Sequence, residues 1–314
     1  MIITANRASA VLCSYLQGKN IDKPFLLPAN VCPVVPLSLM KAGVDFEFVD
    51  IDDTHAMSKT LAMEDIKSGK YAGMIFVHAY GRQFDNQVFY NEIKQFDSSF
   101  YIIDDRCLCV PDISGCQPPF TDLALYSTGY AKYLELSFGG YGISEHEVLS
   151  FVDYEYKELE ETRQQIYIKE CLRDRNTYSL PADYPWLDTS PLQMSTNQYF
   201  DVVRKKLPVV QKQKETINNI YREELPNSIQ WGKEFENWRF IISVKNRDEV
   251  LEAIFDKDLF AGTNFPSVSW MFKEQHNLRA EEEASHIINL FNDHRVNEDY
   301  AHKICQVINR TIQK

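Results

Sequence analysis

The sequence predicts an α/β fold, a mostly parallel sheet covered on both faces by helices and followed by a smaller α+β part. Three observations carry this. Short, nearly continuous apolar runs alternate with helix-like stretches through the first 145 residues, the pattern of strands buried on both faces. Polar residues collect at the ends of those runs, at His78, Asp104 and Asp105, where parallel sheets place their ligands. A long helical stretch over 196–225 then separates this region from a shorter mixed one.

Taken in order, residues 9–16 place Ala10, Val11, Leu12, Tyr15 and Leu16 on one stripe and read as a helix. Strand-like runs follow at 24–28, 46–50, 74–78 and 100–104, with helices expected at 34–42 and 88–96 between them. Residues 145–175 read as a charged helix. The helix over 196–225 repeats apolar residues at Val202, Val203, Leu207, Val210 and Ile217. Residues 238–244 read as a strand, 248–255 as a helix and 281–312 as one or two more helices. A soft boundary is expected near residue 195, giving a large domain over 1–195 and a small one over 196–314. With no repeat and no Gly/Ser linker between them, the two are expected to pack tightly.

Composition narrows the functions. The chain has 314 residues, 33 Lys+Arg against 45 Asp+Glu and a net charge of −12. That balance repels phosphate backbones, and no nucleic-acid partner is expected. No apolar run approaches the roughly 20 residues needed to span a bilayer. The first residues, MIITANRASAVLCSYL, carry neither a basic n-region nor a small-residue cleavage site. A cytoplasmic protein with no membrane partner is therefore expected. Its seven cysteines read as free thiols. Cys107, Cys109 and Cys116 lack the paired spacing and the fourth ligand of a zinc site, so no metal is expected.

The chemistry is concentrated in three places. Phe100-Tyr-Ile-Ile-Asp104-Asp105 ends a buried strand in two carboxylates. Neighbours on a strand face opposite sides, so one faces a site and the other caps or pairs locally. Leu125-Tyr-Ser127 leads to Lys132, and Gly139-Gly140 follows. A hydroxyl, an amine and a glycine turn beside a strand-end carboxylate suit pyridoxal 5′-phosphate. Lysine holds its aldehyde as a Schiff base, the carboxylate keeps its ring nitrogen protonated, and serine with a helix N-terminus near Arg7 holds the phosphate.

With these residues in place, the chain resembles the DegT/DnrJ/EryC1/StrS family of pyridoxal-phosphate aminotransferases, which have the type I aminotransferase fold. The matching stretches run in family order. They are Leu27-Pro-Ala-Asn-Val-Cys-Pro33, Ala42-Gly-Val-Asp-Phe-Glu-Phe-Val-Asp-Ile-Asp52, Val77-His-Ala-Tyr-Gly81 with Asp85, and Ile103-Asp-Asp105. Ser127 and Lys132 have the family's five-residue spacing, and Ala261-Gly-Thr-Asn-Phe-Pro266 is similar to its small-domain turn. The resemblance assigns Lys132 and Asp105 as catalytic, and Ser127, Asn6, Arg7, Ala8, Ser9, Cys32, His78 and Leu108 as cofactor-binding with them. Four positions depart from the family. Ala5-Asn6-Arg7-Ala8-Ser9 replaces its Gly-Thr phosphate loop, Cys32 its stacking aromatic and Leu108 its glutamine, and no asparagine stands in 189–194.

The resemblance implies an amino group moved from an amino acid, glutamate in most members, to a keto-sugar nucleotide or a similar keto substrate. It also implies a homodimer. Arg7, Arg82 and Arg106 are the candidates for the donor's carboxylate. Two alternatives stay open: another pyridoxal-phosphate enzyme on this fold, a lyase or decarboxylase, and a degenerate binding or regulatory homologue.

Overall fold

A computed structural model describes residues 1–145 and 151–313. A seven-stranded sheet forms the large part: β1 (Ile2–Ala5), β2 (Phe25–Pro28), β3 (Phe46–Val49), β4 (Gly73–Val77), β5 (Tyr101–Asp105), β6 (Leu123–Ser127) and β7 (Gly140–Ile143). Their spatial order is β1-β7-β6-β5-β4-β2-β3, and only β7 runs against its neighbours. The sheet is thus mostly parallel, with helices on both faces: α1 (Ala8–Gln17), α2 (Val34–Ala42), α3 (Lys59–Lys67), α4 (Gln87–Phe96) and α5 (Glu158–Asp174).

The expected strands and the first helices fall within a residue or two of their sequence ranges. Three strands of this sheet, β1, β6 and β7, were not separately expected. Helix α3 was also missed, and it starts where the Ser58 side chain accepts the Leu61 N–H. The charged helix begins late. Lys157 precedes its first turn, which carries Glu158, Glu160 and Glu161. Residues 151–156 have no regular structure, and 146–150 of that expected helix lie outside the described residues.

The long helix α6 (Thr196–Glu224) starts in a capping box, with Ser195 and Gln198 satisfying each other's backbone N–H groups. Beyond it β8 (Phe240–Ser243) pairs antiparallel with β9 (Ile287–Leu290). Helices α7 (Arg247–Phe255), α8 (Ser269–Lys273), α9 (Leu278–Ala284) and α10 (Glu298–Ile312) complete the chain. The tail therefore holds a strand between its helices. β9 is fully buried and owes its conformation to pairing with β8.

The two parts share core rather than a thin seam. Phe235, Trp238, Ile241 and Ile287 join Tyr80, Phe84, Ile102 and Leu108 in one apolar cluster. Val268 and Met271 pack into the core formed by α1, α2 and the sheet. No helix among the described residues is long and apolar enough to cross a membrane.

Candidate active site

Sheet register assembles the site. Val77 on β4 lies opposite Asp105 on β5, and Asp105 opposite Leu125 on β6. One step further along, Ser127 lies opposite Gly140, which also pairs with Ala5 at the end of β1. These carboxyl ends open into a cleft of about 310 Å³, at the lower end of the ~300–1,000 Å³ usual for small-molecule sites. Lys132, Asp105, Ser127, Arg7, Ala8, Ser9, Cys32 and Leu108 all line it.

The start of α1 forms one wall. Arg7 is its N-cap residue, no side chain caps it and its first turn holds no acidic residue. The helix therefore presents free N–H groups and the positive end of its dipole to the cleft. Its position depends on Gly140, where a Cβ would fall 2.2 Å from the Ala8 nitrogen and 2.4 Å from the Ala8 Cα. Only a residue without a side chain lets α1 start so close to β7. Gly139 contributes in a second way, taking φ = 90° with its N–H on the Asn6 carbonyl at 2.8 Å.

At the far end of β5 the two carboxylates part. Asp105 accepts the Cys107 N–H at 2.9 Å and lines the cleft. Burial pushes the Cys107 thiol well above its ordinary range, Asp105 adds to the shift and Lys132 opposes it. The lysine's charge thus acts on the same small region. Asp104, fully buried on the opposite face, accepts from His78 Nε2 at 2.8 Å, Tyr90 Oη at 2.5 Å and Arg106 Nε at 2.5 Å. Burial raises its pKa, but His78, Arg106 and Tyr90 outweigh burial and hold the group at about 2.

Lys132 sits half-buried on the loop between β6 and β7. The loop is fastened on both sides of it: Ala131 N–H donates to Glu135 Oε2 at 2.8 Å, and Trp238 Nε1 donates to the Ala131 carbonyl at 2.7 Å. Lys132 Nζ itself has no hydrogen bond or ion pair among the described residues. It is a held but uncommitted amine.

Two expected residues lie outside the lining. The Asn6 side chain is not in the lining and donates to Asp188 Oδ2 at 2.5 Å. His78 is buried, donating to Asp104 while its Nδ1 accepts the Phe84 N–H at 3.0 Å. Both ring nitrogens are spent on the core. Of the candidate arginines only Arg7 borders the cleft, close to the Ser137 carbonyl and Glu161. Arg106 is committed to Asp104, and Arg82 approaches Glu234 at 3.9 Å.

Sequence reasoning missed the opposite wall. Glu161 and Gln165 on α5, Trp186 and Asp188 after it, and Phe265 of the small part all reach the cleft. Nothing local marks them. Glu161 sits in a run of acidic helix residues, and only tertiary packing sets it apart.

Set beside known structures, this architecture recurs. Helicobacter pylori PseC, an aminotransferase of pseudoaminic acid biosynthesis, superposes with a TM-score of 0.71 at 11% identity, over 99% of this chain and 86% of that one. The fold is that of the type I pyridoxal-phosphate-dependent aminotransferases. DesI, solved in the presence of its TDP-sugar product, gives 0.75 at 14% identity over 100% and 81%. A DegT DnrJ EryC1 StrS aminotransferase from Brucella abortus gives 0.67 at 16% over 100% and 86%. Neither a family model nor a curated protein matches the chain.

Proposed function

We propose that the chain is a pyridoxal-phosphate-dependent aminotransferase that moves an amino group from an amino acid, glutamate in the first instance, to a keto-sugar nucleotide or a similar keto substrate. The observation that carries this is the convergence, in one cleft, of an uncapped helix start, Ser127, a buried strand-end Asp105 and the uncommitted Lys132.

The residues suit the cofactor. The phosphate needs donors and positive potential, and the α1 N-terminus, Ser9, Ser127 and Arg7 supply them. The ring nitrogen needs a carboxylate, and Asp105 is fixed by the Cys107 N–H. When bound, the group supplies an electron-withdrawing ring that stabilises negative charge on the carbon of an amine attached to it. Asp105 would hold the ring nitrogen's proton. Lys132 Nζ would hold the carbonyl carbon at rest and, once freed by the donor's amine, move a proton to and from the donor's Cα. The apolar wall of Cys32, Leu108, Trp186 and Leu187 excludes water from that transfer. A nucleotide-sugar acceptor draws support from DesI, whose structure holds such a product. A homodimer accords with the family resemblance.

The test is the visible absorbance of the purified protein after addition of pyridoxal phosphate and dialysis, beside Lys132→Ala. A band retained by the wild type and absent from the variant is expected, and glutamate is expected to bleach it. A band that glutamate leaves unchanged would point to lyase or decarboxylase chemistry. If no band forms, the activity is refuted and a binding role takes its place.

A further inference from the structure

Three cations are buried among the described residues: Lys41, Lys214 and Arg239. Lys41 donates to the Tyr184 carbonyl at 3.0 Å. Lys214 donates to the Trp238 carbonyl at 2.9 Å and to Asn292 Oδ1 at 2.7 Å. Arg239, at the entry to β8 and 5% exposed, makes no hydrogen bond or ion pair among the described residues. Arginine is almost never buried at this depth without a partner, because five N–H donors and a full charge leave water.

The surroundings show why no partner remains. Arg239 lies over the Phe291 ring at 3.8 Å and the Trp238 ring at 4.4 Å, contacts that hold a guanidinium flat but satisfy none of its N–H groups. The nearby carboxylates belong to Arg295, which takes Glu135 Oε2 at 2.5 Å and Asp293 Oδ2 at 2.6 Å. Among the described residues, Arg239, Arg295 and Lys214 thus share two acids, Asp293 and Glu135. The Arg239 nitrogens are not among the fully sealed, unpartnered polar atoms of the described residues. Space for them depends on Gly262, where a Cβ would come within 2.5 Å of Arg239 Nη1.

This region adjoins the cleft. Tyr130, which lines the cleft and is 70% exposed, has the Arg295 guanidinium 5.1 Å from its ring. Gly262 lies three residues before Phe265, another cleft residue. We propose that Arg239, backed by Arg295, is an anion subsite at the rim of the cleft beyond Tyr130. It takes the carboxylate or phosphate of a ligand whose reacting end lies at Lys132, and only this last clause rests on the proposed activity. The energetics agree. Burial depresses the Arg239 pKa to about 10, Asp293 opposes it and Arg295 adds to it, a cost that an incoming anion reverses.

The test is thermal unfolding of the pyridoxal-phosphate-treated protein with inorganic phosphate or with glutarate, against chloride at equal ionic strength. One of the two anions is expected to raise Tm, and which one does so separates a phosphate-bearing ligand from a dicarboxylate. Arg239→Met should weaken binding about tenfold or more, with a ligand-free Tm no lower than wild type. A structural arginine would instead lower it. Arg239→Lys, a milder change, should keep a reduced increment. Ser127→Ala and Lys132→Ala should both keep the full increment, so the subsite stands or falls apart from the cofactor site and the activity. It is overturned if neither anion raises the wild-type Tm, if Arg239→Met keeps the increment, or if Arg239→Met alone destabilises the protein.

Discussion

Asp104 and Asp105 are chemically identical neighbours, and strand geometry gives them opposite tasks. Asp105 faces the cleft, whereas Asp104 gathers His78, Tyr90 and Arg106 under the sheet and so fixes the strand end that aims its neighbour. Its carboxyl is depressed to about 2 against ~3.9 in an unfolded chain. A depressed acid stabilises the fold above the unfolded pKa and loses that contribution as pH falls through the folded one. Asp104 therefore supplies about 2–3 kcal/mol that disappears between roughly pH 5 and pH 1. Asp104→Asn should lower the urea midpoint at pH 7 by an amount worth about 2–4 kcal/mol and flatten the acid limb. An acid limb as steep as the wild type's would sink this account. The same pair shows what could be read at the residue scale. Period-two alternation sufficed to say that one carboxylate faces a site, and the family resemblance set Ser127 beside Lys132, both of which line the cleft. His78 could not be placed, since a strand-end histidine looks alike whether it meets a ligand or, as here, an aspartate beneath the sheet. Arg239 was illegible too, because an unpaired charge is defined by which acids its neighbours have already taken.

Among the elements, the start of α1 does the most with the least sequence signal. Its cleft-facing end has neither a capping side chain nor an acid, which leaves its first N–H groups free, and its placement rests on Gly140. In Gly140→Ala the new methyl would meet the Ala8 backbone at 2.2 and 2.4 Å, and backbone cannot swing aside as a side chain can. The variant should lose about 3 kcal/mol and bind pyridoxal phosphate more weakly, both read by thermal unfolding with and without the cofactor. Normal cofactor affinity in a destabilised variant would mean that α1 does not form the phosphate wall. The glycine was visible in the sequence, but its reason was not: β7 is four residues long and half glycine, and it becomes a strand only between β1 and β6. β9 is the same case at the other end of the chain. The helices over 9–16, 34–42 and 88–96 and the buried runs of β2 to β5 were legible, whereas β1, β6, β7 and β9, equally short, were not.

At the scale of the whole molecule the large and small parts read as separate stretches of sequence but meet through a common core. Trp238 is the hinge pin of that union. It is 3% exposed, stacks on Phe265 with ring centroids 5.2 Å apart, and donates to the Ala131 carbonyl beside Lys132. A second tie crosses nearby, where Glu283 of α9 accepts from Tyr80 at 2.8 Å and pairs with His55 Nδ1 at 2.5 Å. The small part has a buried cluster of its own, but a second apolar cluster runs continuously across the boundary. Unfolding in urea should therefore be a single transition, with tryptophan fluorescence and far-UV circular dichroism coinciding. Trp238→Ala should cost about 3–5 kcal/mol while keeping the two probes together, and should also weaken cofactor binding because the Lys132 loop loses its anchor. Two separated transitions in the wild type would show that the small part folds on its own. In that case the Lys132 loop would have to be positioned from the β6–β7 side alone, and Trp238→Ala should then leave the cofactor's absorbance untouched.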